Sequence, residues 1–272
     1  MNPIILQAQD GAQAAITAYG AHICSWIPAG GDEQLFFSKT SEIREGVAMR
    51  GGVPVIFPQF AGLGALPKHG FARTAMWRLL RAGQTASGAA RAEFELNENI
   101  ASLQVWPYVF HAELTVTVVG SSLDIRLSVQ NTGDTGLSFT AALHTYFAVG
   151  QIADVTVHGL AGLPYRDSVS GVSGCIDHDP MLRISGEIDR IYANAPRLLL
   201  CQPRQTTLIQ QSGFADAVVW NPGPEKAATL ADLEPGGYER MLCIEAAAIM
   251  QPVVLAPGAS WSGNQSLTVK RT

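Results

Sequence analysis

Two residues far apart in the chain carry the first hint of chemistry, His144 in "AALHTYF" and Glu245 in "MLCIEAAAIM". An imidazole titrates near neutral pH, which suits it to give or take a proton. Glu245 has apolar or small neighbours for several positions on both sides. An isolated carboxylate in such surroundings must be paired, hydrogen-bonded or partly neutralised. Arg240 or Arg73 could supply a structural salt bridge. The preferred alternative is a functional site, because most solvated carboxylates sit among other polar residues. His144 stays open between two readings: it lines a cleft, or it hydrogen-bonds a neighbouring strand.

A second group lies in "MRGGVPVIFPQFAGLGALPKHGFAR", residues 49–73. Here Arg50, Lys68, His69 and Arg73 interrupt an apolar run punctuated by prolines. Isolated basic groups along such a run tend to converge on something anionic. The planar guanidinium fork suits bidentate contact with phosphate or carboxylate. The glycines after Arg50 would let the backbone approach a ligand closely. His22, His111, His158 and His178 have no comparable company and read as structural. No His, Cys or carboxylate set has metal-ligand spacing, and no G-x-S-x-G elbow supports a serine hydrolase.

The elements that must position these groups are strands. Leu114, Val116 and Val118 alternate with polar or small residues, as do Leu123, Ile125, Leu127 and Val129 beyond a turn at Gly120–Ser122. Similar short strands are predicted at 4–8, 12–18, 21–27, 91–96, 155–158, 197–201, 206–210, 216–220, 241–249 and 264–270. Along 137–147, Leu137, Phe139, Ala141, Leu143 and Phe147 share one side. Ser138, Thr140, Ala142, His144 and Tyr146 share the other, which resembles the floor of an open cleft. The one helical pattern is a turn or two in "GPEKAATLADL". Many strands and almost no helix predict one continuous antiparallel β-sandwich with a concave sheet face, spanning 1–272 as a single domain.

Of the 272 residues, 47% are hydrophobic and 15% charged, which suits a well-buried core rather than disorder. The net charge of −5, without runs of either sign, argues against nucleic acid or an anionic membrane as the main partner. A local arginine cluster still sets the field in its own cleft, so a small anionic ligand fits. Cys24, Cys175, Cys201 and Cys243 lie far apart without C-x-x-C spacing and read as reduced thiols of a cytoplasmic protein. No basic residue precedes Lys39, so the charged start of a secretory signal is missing. The longest apolar stretch is broken by Glu245, Gln251 and Pro252, and nothing is expected to span a bilayer. No heptad or other assembly element is visible, so a monomer is expected.

Four segments in order, "MRGGVPVIFPQF", "LPKHGFAR", "LHTYFAV" and "MLCIEAAAI", together resemble the aldose 1-epimerase superfamily in its hexose-6-phosphate mutarotase branch. "GEIDRIY" and "DAVVWNPGPEKAATLADL" add support, and the similarity runs from about residue 16 to 270. The resemblance implies an all-β, galactose-mutarotase-like supersandwich that interconverts anomers of an aldohexose 6-phosphate without cofactor or metal. It implies His144 as general acid and Glu245 as general base. It further implies Arg50, His69 and Arg73 as substrate contacts, with Asp189 accepting sugar hydroxyls. Lys68 stands where relatives often carry glutamine or serine, and a lysine there favours a phosphate. Trp220 or Tyr146 would be free to stack on the sugar. The rival readings are a mutarotase of unphosphorylated aldoses, a non-catalytic sugar-phosphate binding protein, and action on another phosphorylated metabolite.

Overall fold

The period-two alternation is realised as antiparallel sheets in a computed structural model that describes residues 2–271; the two end residues of the expected 1–272 unit lie outside the described residues. One sheet has eight strands: β1 (Val55–Ile56), β2 (Leu137–Leu143), β3 (Tyr146–Ala148), β4 (Pro164–Asp167), β5 (Cys175–Ile176), β6 (Ile188–Ala193), β7 (Asp216–Asn221) and β8 (Met241–Leu255). Its order is β5-β4-β6-β7-β8-β2-β1, and β3 also pairs with β8. A nine-stranded sheet includes the long hairpin of Phe110–Val119 and Ser122–Asn131, the latter flanked by Ser260–Arg271. Ile4–Gln7, Gln13–Thr17 and His22–Ile27 form a third, small sheet.

The hairpin shows why the alternation decides the fold. Leu114, Val116, Leu123, Ile125 and Leu127 are fully buried and share one core with Leu143, Phe147, Leu242, Ile244 and Ala246 of the eight-stranded sheet. Burying each such side chain contributes about 1.5–3 kcal/mol, and a one-residue slip would expose the whole set, so register is strongly specified. The other face of the eight-stranded sheet carries a second cluster, with Ala142, Tyr146, Val218, Trp220, Cys243 and Ala247. Phe36, Phe60 and Leu233 cover part of it from connecting segments. One face of this sheet therefore belongs to the core, and the other is left for a site.

Several elements depart from the sequence expectation. The predicted strand 137–147 is interrupted, because residues 144 and 145 lie outside β2 and β3. Arg78–Gln84 forms an edge strand exposed at every position, so it has no alternation to read. β1, β4 and β5 hold two to four residues each, too short for a periodic pattern. Ile100–Val105 is a short helix closed by an Asn99–Ser102 capping box. The expected helical turns appear as Gly223–Ala227. All four cysteines are free. Among the described residues no helix is long and apolar enough to cross a membrane.

Candidate active site

Antiparallel pairing lines up same-face residues in rows across the second face. One row runs Asp189, Trp220, Cys243, Tyr146 from β6 to β3. The next runs Ile191, Val218, Glu245. Register against β8 is the same on both sides of the break, since Leu143 opposes Ala246 and Tyr146 opposes Cys243. His144 therefore falls opposite Glu245 and completes the second row. Cross-strand neighbours sit within side-chain reach, and His144 Nε2 lies 3.3 Å from Glu245 Oε1. The two residues singled out by type are brought together by strand register.

Glu245 is 1% exposed and His144 7%, so the pair lies at the bottom of the face with the imidazole nearer solvent. Neither arginine proposed from the sequence pairs with Glu245. Arg240 bonds Glu234 at 2.7 Å, and Arg73 donates to the Lys68 carbonyl at 2.8 Å. Glu245 Oε2 and His144 Nδ1 are buried without hydrogen-bond partners. Burial pushes the Glu245 carboxyl well up, with Asp189 adding to the effect and Arg73 opposing it. Burial also pushes His144 well down, helped by His69, Arg50 and Arg73. Each group alone thus favours its neutral form, and the 3.3 Å contact lets a proton pass between nitrogen and oxygen.

Tyr146 stacks on His144, with centroids 4.7 Å apart and planes 10° from parallel. That ring face is therefore taken by imidazole. Trp220 meets both rings edge-on. His69 lies 5.7 Å from His144, centroid to centroid, and 5.2 Å from Phe60. Its Nδ1 accepts from the Ala61 N–H at 3.3 Å, which leaves the ring proton on Nε2 as a donor. Burial, then Arg73, Lys68 and Arg50, lower His69 to about 3, so it works as a neutral group.

The two motif arginines are held differently. Arg50 donates from Nη1 to the Tyr146 hydroxyl at 3.0 Å and bonds Asp232 from Nη2 at 3.0 Å. It also stands 5.8 Å from the Trp220 ring centroid. The Nε of Arg50 and the Nε of Arg73 are buried and unpartnered. Burial lowers Arg73, and Arg50 lowers it further, which marks two cations close enough to repel. Lys68 is exposed at the rim; desolvation, then Lys226, Arg50 and Arg73, push its ammonium down. Asp189 is half-buried, with its carboxyl raised by burial against the pull of Lys226 and Lys68.

The glycines of "RGG" serve a purpose other than the one their sequence suggested. A Cβ on Gly51 would meet the Phe36 carbonyl at 2.5 Å, and one on Gly52 the Ile23 carbonyl at 2.1 Å. They let backbone cross backbone, so Arg50 projects from a rigid crossing. His22 props that crossing, its Nε2 lying 2.8 Å from the Gly51 carbonyl. Asp232 was not legible as a partner of Arg50, because an ion pair between distant segments leaves no spacing signal.

Burial holds His22 neutral at about 4 and His69 neutral at about 3. Both values lie below the unfolded imidazole, so the unfolded chain binds more protons once pH drops under about 6.5. Their stabilising effect is complete above that pH and is lost as acid approaches the folded values. Denaturation followed from pH 7.5 to 4.5 is expected to hold steady down to about pH 6.5 and then to lose on the order of 1 kcal/mol per pH unit per histidine. His22→Gln should flatten that slope while lowering stability at neutral pH.

The sequence profile of the aldose 1-epimerase family matches residues 3–268. A Cenchrus ciliaris protein provisionally named glucose-6-phosphate 1-epimerase is 33% identical, over 98% of this chain and 84% of its own. The crystal structure of a provisionally assigned mutarotase from Salmonella typhimurium superposes with a TM-score of 0.88 at 29% identity, covering 96% of this chain and 88% of that one. A galactose mutarotase related enzyme from Lactobacillus acidophilus shares the fold, with a TM-score of 0.75 at 16% identity over 98% of this chain and 97% of its own. The expected galactose-mutarotase-like fold is thus the one observed. Profile and relative agree, and the chain belongs to the aldose 1-epimerase family.

Proposed function

We propose that the protein interconverts the α and β anomers of an aldohexose 6-phosphate, such as glucose 6-phosphate, by acid–base ring opening. The observation that carries this reading is the His144–Glu245 pair, 3.3 Å apart beside two guanidinium groups with unpartnered Nε atoms. The carboxylate of Glu245 takes the proton from the anomeric hydroxyl as the C1–O5 bond breaks and the C1=O1 bond forms. The electron pair leaves on O5, which takes a proton from the His144 imidazolium. Rotation about C1–C2 and the reverse transfers close the ring with the hydroxyl on the other face. One proton leaves the sugar and one returns, so no external acid or base is consumed.

Burial favours neutral His144 with protonated Glu245, the state that ring opening leaves behind. A phosphate dianion nearby would draw the shared proton onto the imidazole and restore the state that opens the ring. C6 is attached beside O5, so a ring oxygen facing His144 directs the phosphate towards the His144 side of the pair. Arg50, Arg73 and His69 are the groups that surround His144 there. Lys68 would add charge at the rim, and Asp189 would accept ring hydroxyls from the β6 side.

A monomer, with residues 1–272 acting as one unit, is part of this reading. The four free cysteines support a reducing compartment, the cytoplasm. Two-dimensional exchange NMR on glucose 6-phosphate tests the reading: catalytic amounts of protein should raise the α–β cross-peaks. Spectra unchanged by the protein would reject it, and equal acceleration of free glucose would favour a mutarotase of unphosphorylated aldoses.

A further inference from the structure

Between the two sheets, in an apolar core, lies a polar contact that the site residues do not use. Thr145 and Gln265 are both fully buried, and the Thr145 hydroxyl donates to Gln265 Oε1 at 2.6 Å. Gln265 comes from the Ser260–Arg271 strand of the opposite sheet, and its Nε2 donates to the Ile244 carbonyl at 3.2 Å. Thr145 follows His144 directly, and Ile244 precedes Glu245 directly. One side chain thus ties together the backbone beside both members of the pair.

The reason for a glutamine there follows from the strand break. Ile244 N–H donates to the Thr145 carbonyl at 3.1 Å, as in a regular ladder. The return bond, Thr145 N–H to the Ile244 carbonyl, is missing. Thr145 N–H donates instead to the Leu143 carbonyl at 2.9 Å, closing a three-residue turn centred on His144. The Ile244 carbonyl would be orphaned in the core were it not for Gln265. The side-chain amide supplies the lost ladder donor and holds the turn open.

We propose that Gln265, acting through Thr145 and the Ile244 carbonyl, is a positioning residue that fixes the spacing of His144 and Glu245. This rests on the acid–base reading above. A shift of about 1 Å in such a pair can cost on the order of a hundredfold in rate.

The test is the double variant Thr145→Val/Gln265→Met. Removing both side chains together leaves no orphaned group between them, and only the Ile244 carbonyl loses its donor, so the fold should persist. Expected are a melting temperature a few degrees below wild type, kcat for glucose 6-phosphate lowered about 10–100-fold, and KM little changed. Thr145→Ser, which keeps the donor hydroxyl, should recover most of kcat relative to Thr145→Val. In the ligand-free protein, the His144 ring NMR signals should shift in Thr145→Val and return in Thr145→Ser. Wild-type kcat and His144 signals in a folded double variant would overturn the proposal. If that variant does not fold, Thr145→Val alone with wild-type kcat and signals would do so. The ring signals need no substrate, so they report on Gln265 even if the wild-type enzyme acts on a different sugar.

Discussion

Replacing Glu245 by glutamine is expected to lower kcat for anomer exchange by about 10²–10⁴-fold, with little change in KM. The amide keeps the shape of the carboxylate but cannot take the anomeric proton. Opposite it, His144 would keep its stack on Tyr146 and its backbone bond to the Pro54 carbonyl at 3.0 Å. The variant should fold about as well as wild type, because burial already favours the neutral carboxyl and the amide matches it in shape and charge. Exchange NMR at saturating glucose 6-phosphate, with calorimetry for binding, separates the two quantities. Exchange at the wild-type rate would remove Glu245 from the mechanism. Loss of binding together with rate would make it a sugar contact instead.

The second large effect concerns the phosphate. Arg73→Ala is expected to raise KM for glucose 6-phosphate by about 10–100-fold, since a hydrogen bond to a charged group is worth about 1.5–3 kcal/mol. Arg73 is the cleaner choice of the two arginines, because Arg50 also holds the Tyr146 hydroxyl and Asp232. Activity on free glucose should stay near wild type, and the wild-type preference for the phosphorylated sugar should fade as salt is added. Equal losses on both sugars would place Arg73 against the sugar ring rather than the phosphate.

The long strands of this fold could be read from their sequences; that His144 and Glu245 share one site followed only from the family resemblance, and their direct contact at 3.3 Å from neither. Leu114 to Val118 and Leu123 to Val129 announce themselves because each second residue is buried. Arg78–Gln84 is silent because both its faces meet solvent. His144 and Glu245 each stood out by type and setting, yet the partners suggested for Glu245 were arginines. Which residue faces it depends on the register between strands distant in sequence, and neither strand states its register alone. The break at 144–145 was hidden for a related reason. The donor that makes up for it comes from Gln265, a residue of another sheet.

The eight-stranded sheet has different duties on its two faces. Leu242, Ile244, Ala217 and Val219 lock into the interior, whereas Val218, Ile191 and Cys243 point the other way, among the groups that would hold a sugar. Drift at those three buried positions would therefore alter the packing beneath the proposed sugar site, while the core between the sheets keeps its own side chains. A lineage needing a different epimer could work on that second layer without disturbing the one that joins the sheets.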